Sequence, residues 1–413
     1  MNDVRGRIVE AWAAGGTPTV ALLEGAERHV LALGPGQPPL EPGDLVTLSL
    51  AAAGATVVAI HGRAGAAWDP EGDGTRWRRS SASPSRMELL WQRQTVLRAV
   101  REYFFEQGFL EVQAPLLVRG TCPDAHLDSL RVGDAVHDAA YLTTSTEYQI
   151  KRLVVGGFEK VFTLTQNFRG ADVGDRHNPE FTMLEWARAF ASLDAIDHDA
   201  EALVRRAFRA LHPGRETLSY AGREVRVDGP TWERLTLRDA FARHLGLSLD
   251  ETMSPASLRA EVGRTGVSVP ETFLADDHLL VSFLVDAVQG HLGAATPTFL
   301  KEWPSHMTSS AALLPGAPAL ADRSELILAG LELSDGFPSL RDAELQARLF
   351  EREHARRAEE GKAAVAIDGR YLEALRQGIP PGAGMALGFD RLVMVLTGRS
   401  HIRDVIPFAW DEL

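Results

Sequence analysis

Phe168-Arg169-Gly170-Ala171-Asp172-Val173-Gly174-Asp175-Arg176-His177-Asn178-Pro179-Glu180-Phe181-Thr182-Met183-Leu184-Glu185 is the densest run of chemistry in the chain. The apolar stretch from Val161 to Phe168 ends in a guanidinium, a polar segment with two glycines follows, and a second apolar segment returns carrying carboxylates. That order predicts two strands joined by a loop. Arginine at such a turn suits an anionic ligand, because its planar fork donates two parallel hydrogen bonds to a phosphate or carboxylate. An ordinary hairpin with surface charges fits the same residues.

Two further segments bear on it. Gly382-Ala-Gly384-Met-Ala386-Leu-Gly388-Phe-Asp390-Arg391 reads as a strand of small and apolar residues feeding a helix that opens with Asp-Arg. Small residues let a ligand approach the backbone, and an arginine in the first helical turn is placed to meet an anion. Upstream, a helical period begins near Met87, with Leu90, Val96, Leu97, Val100 and Phe104 on one stripe, and stops at Gly108. A strand over Leu110 to Leu117, closed by Pro115, follows it.

The rest of the chain frames these segments. At 413 residues and roughly 150 residues per domain, two or three domains are expected. From Val4 to Arg63, short alternating runs separated by Gly, Pro and Asp predict a small antiparallel barrel over residues 1–64. Residues 65–86 are Gly, Ser, Pro and charge, and read as a linker. Strands are expected again at Thr298 to Trp303, Glu325 to Ala329 and Leu331 to Phe337, and helices at Ala343 to Glu360, Arg370 to Gln377 and from Asp390. Between them, residues 193–293 read as a largely helical insertion without chemistry. Strands interrupted by long helical stretches, without βαβ alternation, predict an α+β catalytic domain over 87–413. Lys and Arg number 43 against 56 Asp and Glu, a net charge of −13 that argues against sequence-blind capture of nucleic acid. The single cysteine, Cys122, excludes an intrachain disulfide or a thiolate zinc cluster, and no run of about 18 apolar residues appears. A cytoplasmic protein off the membrane is expected.

Taken together and in chain order, the three segments resemble motifs 1, 2 and 3 of the class II aminoacyl-tRNA synthetases, and the lysine subgroup matches best. The run Thr144-Ser-Thr-Glu147-Tyr-Gln-Ile-Lys-Arg-Leu-Val-Val-Gly-Gly, the run Arg176-His-Asn-Pro-Glu-Phe-Thr-Met, Ile379-Pro-Pro-Gly-Ala-Gly and Ile402-Arg-Asp-Val-Ile support it. Leu331-Glu-Leu-Ser-Asp-Gly-Phe and Ala386 resemble the stand-alone lysine ligases that modify elongation factor P, which carry Ala where lysyl-tRNA synthetases carry Gly. The resemblance spans about residues 87 to 410. It implies an antiparallel sheet flanked by helices, and attack of an amino-acid carboxylate on the α-phosphate of ATP to give an aminoacyl-adenylate and pyrophosphate. By the same resemblance Arg169 holds the α-phosphate, Arg176 and His177 meet the triphosphate from the loop, and adenine lies between Phe181 and Arg391. Glu325 and Glu332 match an acidic pair that binds magnesium. Glu147 and Glu185 match carboxylates of the amino-acid pocket, with Glu147 on the α-ammonium. The motif 1 helix implies a homodimer, since its apolar stripe needs cover.

Each residue has a plainer reading: Phe181 as core, His177 as a surface histidine, Glu325 and Glu332 as solvated strand carboxylates. Strict alternation puts Glu332 and Asp335 on opposite strand faces, so a bulge or strand end must intervene if both serve one site. The chain also departs from the family. Gly170-Ala171 stands where the family has Asn-Glu. Ala187 and Ser339 stand where a Tyr and a Glu normally hold the lysine ε-ammonium, and Asp335 where the family has Asn, on one face with Phe337 and Ser339. An ammonium without its carboxylate loses several kcal/mol, so a smaller or differently polar amino acid is expected. The N-terminal region has one Trp and no Phe or Tyr in about 60 residues, a reduced form of the family's oligonucleotide-binding barrel. Weak or absent anticodon reading is expected, with transfer to a protein or small-molecule amine. Charging of tRNA, lysine ligation to elongation factor P, and an inactive regulatory paralogue are the alternatives.

Overall fold

The computed structural model describes residues 2–24, 27–52, 54–63, 84–125, 127–133, 140–170 and 173–413. The expected linker at 65–86 lies almost wholly outside these residues, as do Ala171 and Asp172 of the motif 2 loop. Two compact units are present, residues 1–94 with 404–413, and residues 95–403.

The first unit holds β1 (Asn2–Ala14), β2 (Thr17–Glu24), β3 (Glu27–Ala32), β4 (Leu45–Ala51) and β5 (Gly54–Gly62). They form one antiparallel sheet in the order β3-β2-β1-β4-β5, and a parallel bridge between Leu33 and Ala55 brings its two ends together. The alternating runs form five strands, and Val4, Ile8, Val20, Leu22, Val46 and Leu48 all face one small core. Helix α1 (Arg86–Glu106) opens on a Ser85 cap, with the Glu88 carboxylate accepting from the Ser85 N–H at 2.5 Å.

In the second unit the remaining elements are β6 (Leu110–Glu111), β7 (Leu117–Val118), β8 (Arg131–Val132), β9 (Ala140–Leu142), α2 (Glu147–Val155), β10 (Lys160–Phe168), β11 (Glu180–Ala189), α3 (Leu193–Leu211), β12 (Thr217–Tyr220), β13 (Arg223–Arg226), β14 (Glu233–Thr236), α4 (Leu237–Leu245), α5 (Pro255–Thr265), α6 (Glu271–Ala275), α7 (Asp277–Gln289), β15 (Thr298–Pro304), β16 (Leu313–Leu314), β17 (Ala317–Leu328), β18 (Leu331–Pro338), α8 (Ala343–Glu359), α9 (Gly369–Gln377), β19 (Gly382–Gly388) and α10 (Phe389–Leu396). The main sheet runs β14-β15-β17-β18-β19-β11-β10-β6, with β16 on β17. It is antiparallel except at its two edges, where β14 on β15 and β6 on β10 pair in parallel. The architecture is thus the α+β arrangement of an antiparallel sheet flanked by helices.

Two expectations are corrected and a third is narrowed. The strand read over Leu110 to Leu117 is two residue pairs, Leu110–Glu111 and Leu117–Val118, because the stretch around Pro115 supplies no ladder. Residues 193–293 are not one helical insertion. Helix α3 packs on β17, β18 and β19, β12 and β13 form a hairpin about Ala221-Gly222, both with positive φ, and β14 closes the sheet edge. Only α4 to α7 gather around a second core, built on Phe241, Leu280, Val281 and Leu284. Lastly, the motif 1 stripe is covered in part within the chain: Val96, Val100 and Phe104 are fully buried, and Phe104 stacks on Phe162 at 4.6 Å between centroids and meets Trp186 at 5.5 Å. Leu90 and Leu97 of the same stripe are half-buried, so that part of it remains open to a second subunit.

Candidate active site

The register of four strands lays out the floor of the site. Glu325 on β17 pairs with Asp335 on β18, Asp335 with Ala386 on β19, and Ala386 with Glu185 on β11, so these side chains form one row across the sheet. Two residues along, Phe337 pairs with Gly384 and Gly384 with Ala187, with Arg323 on the same face of β17 as Glu325. Large buried side chains, Trp186, Leu184 and Leu387, alternate onto the opposite face and fix the register. A bulge at Leu333 then brings Glu332 onto the floor: Leu326 pairs with Ser334 but Ile327 with Glu332. This is the interruption that the spacing of Glu332 and Asp335 required. The tight turn Ala329-Gly330, both at positive φ, joins β17 to β18, so Glu325 faces Asp335 rather than Glu332.

Above this floor lies a cavity of about 400 Å³. Of the residues read from the sequence, Glu147, Arg169, Arg176, His177, Phe181, Glu185, Ala187, Glu332, Asp335, Phe337, Ser339, Ala386 and Arg391 all line it. Glu325 does not; it is buried beside it, its carboxylate held 2.8 Å from the Arg323 guanidinium. One end is rich in guanidinium. Arg169 follows β10 and lies over the Phe181 ring at 5.1 Å, and Arg391 in the first turn of α10 reaches the Glu332 carbonyl at 3.1 Å, its carboxylate at 3.4 Å and His177 Nε2 at 2.5 Å. The loop bearing His177 closes on itself through paired backbone hydrogen bonds with Gly174, 3.2 Å each. Asp390 accepts from the Thr182 N–H at 2.7 Å, tying α10 to β11. Gly170 carries no side chain where the Asp128–Leu130 segment crosses, and a Cβ there would lie 3.0 Å from Leu130 Cδ2.

The other end is a set of paired charges. Glu147, first residue of α2, binds the Lys151 ammonium at 2.5 Å, one helical turn on. Lys151 is buried beneath Phe337 and Tyr371, 5.2 and 5.9 Å from their centroids. Burial works to lower its pKa, but Glu147 and Tyr371 outweigh it and hold the ammonium charged. Burial pushes the Tyr371 hydroxyl up to about 12. Glu185, 3% exposed, accepts from the Ser145 hydroxyl, from the Thr146 hydroxyl and from the Thr146 N–H at 2.6 Å. Its pKa is still raised, because burial outweighs those donors. Arg323 bridges Asp335 and Glu325, each at 2.8 Å. Burial raises the pKa of both carboxylates against the pull of Arg323, and Glu332 adds like-charge repulsion.

Sequence reading missed Arg323, Lys151, Ser145 and Thr146 as parts of the site. Glu147 and Lys151 carry the i, i+4 signature of a helical ion pair, and Arg323 and Glu325 sit two apart on a strand, so both pairs had a legible signal. The Thr146 contact had none, since it joins residues 39 apart.

The set suits a magnesium ion only in part-protein form. No group of three or more His, Cys, Asp or Glu with metal-binding geometry occurs among the described residues. Magnesium, however, takes one or two carboxylates and completes its octahedron with water and phosphate oxygens. Burial raises the Glu325 pKa, and Glu332 adds like-charge repulsion that a divalent cation would relieve. The pair fits.

The site thus combines an antiparallel floor, a guanidinium-lined end and a carboxylate-bearing end. Residues 75–412 match the family model of class II tRNA synthetases (D, K and N), and the chain belongs to that family. Among its relatives, the elongation factor P–(R)-β-lysine ligases of Salmonella arizonae and Enterobacter sp. (strain 638) are 33% identical over 345 residues, 81% of this chain and 98% of theirs. The lysine–tRNA ligase of Magnetococcus marinus is 32% identical over 321 residues, 78% of this chain but only 63% of its own length. The chain is therefore a class II synthetase-type ligase. No helix among the described residues is long and apolar enough to cross a membrane.

Proposed function

We propose that the chain joins an amino acid to the α-phosphate of ATP and passes the activated acyl group to an acceptor other than tRNA, in the cytoplasm. The carrying observation is the cavity itself, with Arg169, Arg176, His177 and Arg391 at one end and Glu147 at the other. In this reading Glu147 takes the α-ammonium, which leaves the substrate carboxylate aimed at the phosphate end. Its oxygen forms a bond to the α-phosphorus as the bond to pyrophosphate breaks. Arg169 stabilises the charge that shifts onto the α-phosphoryl oxygens, and Arg391 holds the γ-phosphate and one face of adenine, with Phe181 on the other. Glu332, with Glu325 beside it, would hold a magnesium ion, which would supply Lewis acidity and shield the phosphates. Phe337 and Tyr148 line the cavity beside Glu147.

For the acceptor, the relative that this chain spans almost end to end modifies a protein, whereas the match to the tRNA ligase leaves more than a third of that enzyme uncovered. The printed activities of these relatives also favour lysine or (R)-β-lysine as substrate, more than they favour another amino acid. Ala187 and Ser339 stand against lysine. A homodimer is part of the proposal, resting on exposed Phe105, Leu110 and Leu117 rather than on the buried stripe. The test is ATP–pyrophosphate exchange by the purified chain, followed by transfer of radiolabelled amino acid to purified elongation factor P and to bulk tRNA. Amino-acid-dependent exchange with label on protein supports the reading. ATP binding without exchange points to an inactive paralogue, and efficient charging of tRNA removes the acceptor proposal.

A further inference from the structure

The buried face of helix α8 is polar where such a face is usually apolar. Its inward residues Ala343, Gln346, Phe350, Glu353 and Arg357 recur at steps of three and four, and three of them carry amide or charged groups. Burying such groups costs free energy unless each finds a hydrogen-bond partner. Here the partners are backbone groups of the cavity wall. Gln346 donates to the Ser309 carbonyl at 2.7 Å, and Arg352, paired with Glu353, donates to the Thr308 carbonyl at 3.1 Å. One turn further on, Arg357 Nη1 donates to the carbonyls of Asp124 at 2.9 Å and Leu127 at 2.7 Å, while its Nε reaches the Ala363 carbonyl at 3.1 Å. Glu353 accepts from the Ala125 N–H at 3.4 Å, and Lys362, just past the helix, donates to the Ala125 carbonyl at 2.5 Å. Thr308 and Ser309 line the cavity in one stretch of wall, and Cys122, Asp124 and Leu127 in another. The second stretch continues to Asp128, whose carbonyl accepts from the Gly170 N–H at 2.8 Å, next to Arg169.

We propose that α8 is a strut that fixes both stretches of wall, and that Arg357 is the positioning residue for the stretch bearing Cys122, Asp124 and Leu127. One rigid guanidinium holds two carbonyls three residues apart, so this stretch is set before any substrate arrives. Without it the wall must be ordered each time the amino acid binds, and that cost falls alike on the bound state and the transition state. It therefore appears in KM and leaves kcat nearly unchanged. The kinetic part of this proposal rests on the adenylation reading above; the placement of the wall does not.

The test has two arms on the full chain. Cys122 is its only cysteine and sits in the wall, half-buried, with burial pushing its thiol up to about 12, so it reports the position of that stretch directly. Labelling by N-ethylmaleimide, followed by mass spectrometry well below the denaturation midpoint, is expected to be slow in the parent and at least about tenfold faster in Arg357→Met. Arg357→Lys, whose ammonium can still donate to the two carbonyls that share Nη1, should stay within about threefold of the parent. Labelling of folded Arg357→Met within about threefold of the parent overturns the proposal, as does an Arg357→Lys variant that opens as far as the Met variant. If Arg357→Met does not fold, the partly exposed Lys362→Met carries the same arm, with a rise of about threefold or more expected and a parental rate overturning it. In the second arm, ATP–pyrophosphate exchange, Arg357→Met should raise the amino-acid KM by about tenfold or more with kcat within about threefold. Gln346→Leu, which frees only the other stretch, should raise that KM as well while leaving Cys122 labelling parental. A fall in kcat at unchanged KM, or a parental KM in Gln346→Leu, overturns the strut. No exchange by the parent with any amino acid overturns the adenylation reading instead, and the labelling arm then decides the role of Arg357.

Discussion

Removing the Arg323 head group, as in Arg323→Met, tests the charge balance under the site. The guanidinium is 17% exposed and holds Glu325 (8%) and Asp335 (30%) at 2.8 Å each. Breaking a buried pair by deleting one partner costs about 3–5 kcal/mol, because the remaining charge is stranded. The variant need not keep both carboxylates ionised, and this gives the prediction its pH signature. Burial already holds both pKa values above their ordinary range, and loss of Arg323 raises them further. A carboxylate whose folded pKa exceeds its unfolded value favours the native state in its protonated form. Its stability contribution is present at low pH and is lost as pH rises from about 4, the unfolded value, through the folded pKa. For each additional proton bound by the native variant, lowering the pH by two units within that window recovers about 2.7 kcal/mol. Urea denaturation followed by tryptophan fluorescence should therefore show a deficit of about 3–5 kcal/mol at pH 8 that shrinks by more than half at pH 5.5. A deficit that is the same at both pH values, or smaller than about 1 kcal/mol at pH 8, would mean that Arg323 does not compensate these carboxylates.

Other outcomes follow from single contacts. Tyr103→Phe removes the donor to Asp199 (2.6 Å), itself gripped by Arg188 at 2.6 Å, and should cost about 1–3 kcal/mol in denaturation midpoint experiments. Gly384→Ala puts a Cβ 2.8 Å from the Trp186 carbonyl, so the β11–β19 pairing must shift; exchange activity is expected to fall by about 100-fold or more, while a parental rate removes the claim that these strands define the pocket. Arg391→Ala should raise KM for ATP more than KM for the amino acid, measured in the same exchange assay. Chelation with excess EDTA should abolish exchange, and magnesium should restore it.

Much of the site was legible in the chain. Thirteen of the fourteen residues read from the sequence line one cavity; local pattern pointed to a strand ending in Arg169, small residues at Gly384 and Ala386, and Arg391 in a first helical turn, and the resemblance to the synthetase family supplied most of the others. The five N-terminal strands were equally readable, because alternation over six to thirteen residues needs no distant information. The exceptions have physical causes. Of the stripe Leu90, Val96, Leu97, Val100 and Phe104, sequence alone leaves every member open to a partner, and it is folding that buries Val96, Val100 and Phe104, the last under Phe162 and Trp186 some 60 to 80 residues on. Whether Glu332 reached the floor depended on one extra residue at Leu333, a bulge invisible to periodicity but dictated by pairing with β17. Glu325 and Asp335 appeared as ligand-facing acids, and tertiary packing instead bound both to Arg323. The sequence on its own determined which chemical groups the protein possesses and which local elements carry them, because propensity and periodicity are short-range. Which carboxylates remain available to a ligand was decided only by the folded sheet, because charge pairing and burial act through space between strands that the chain keeps far apart.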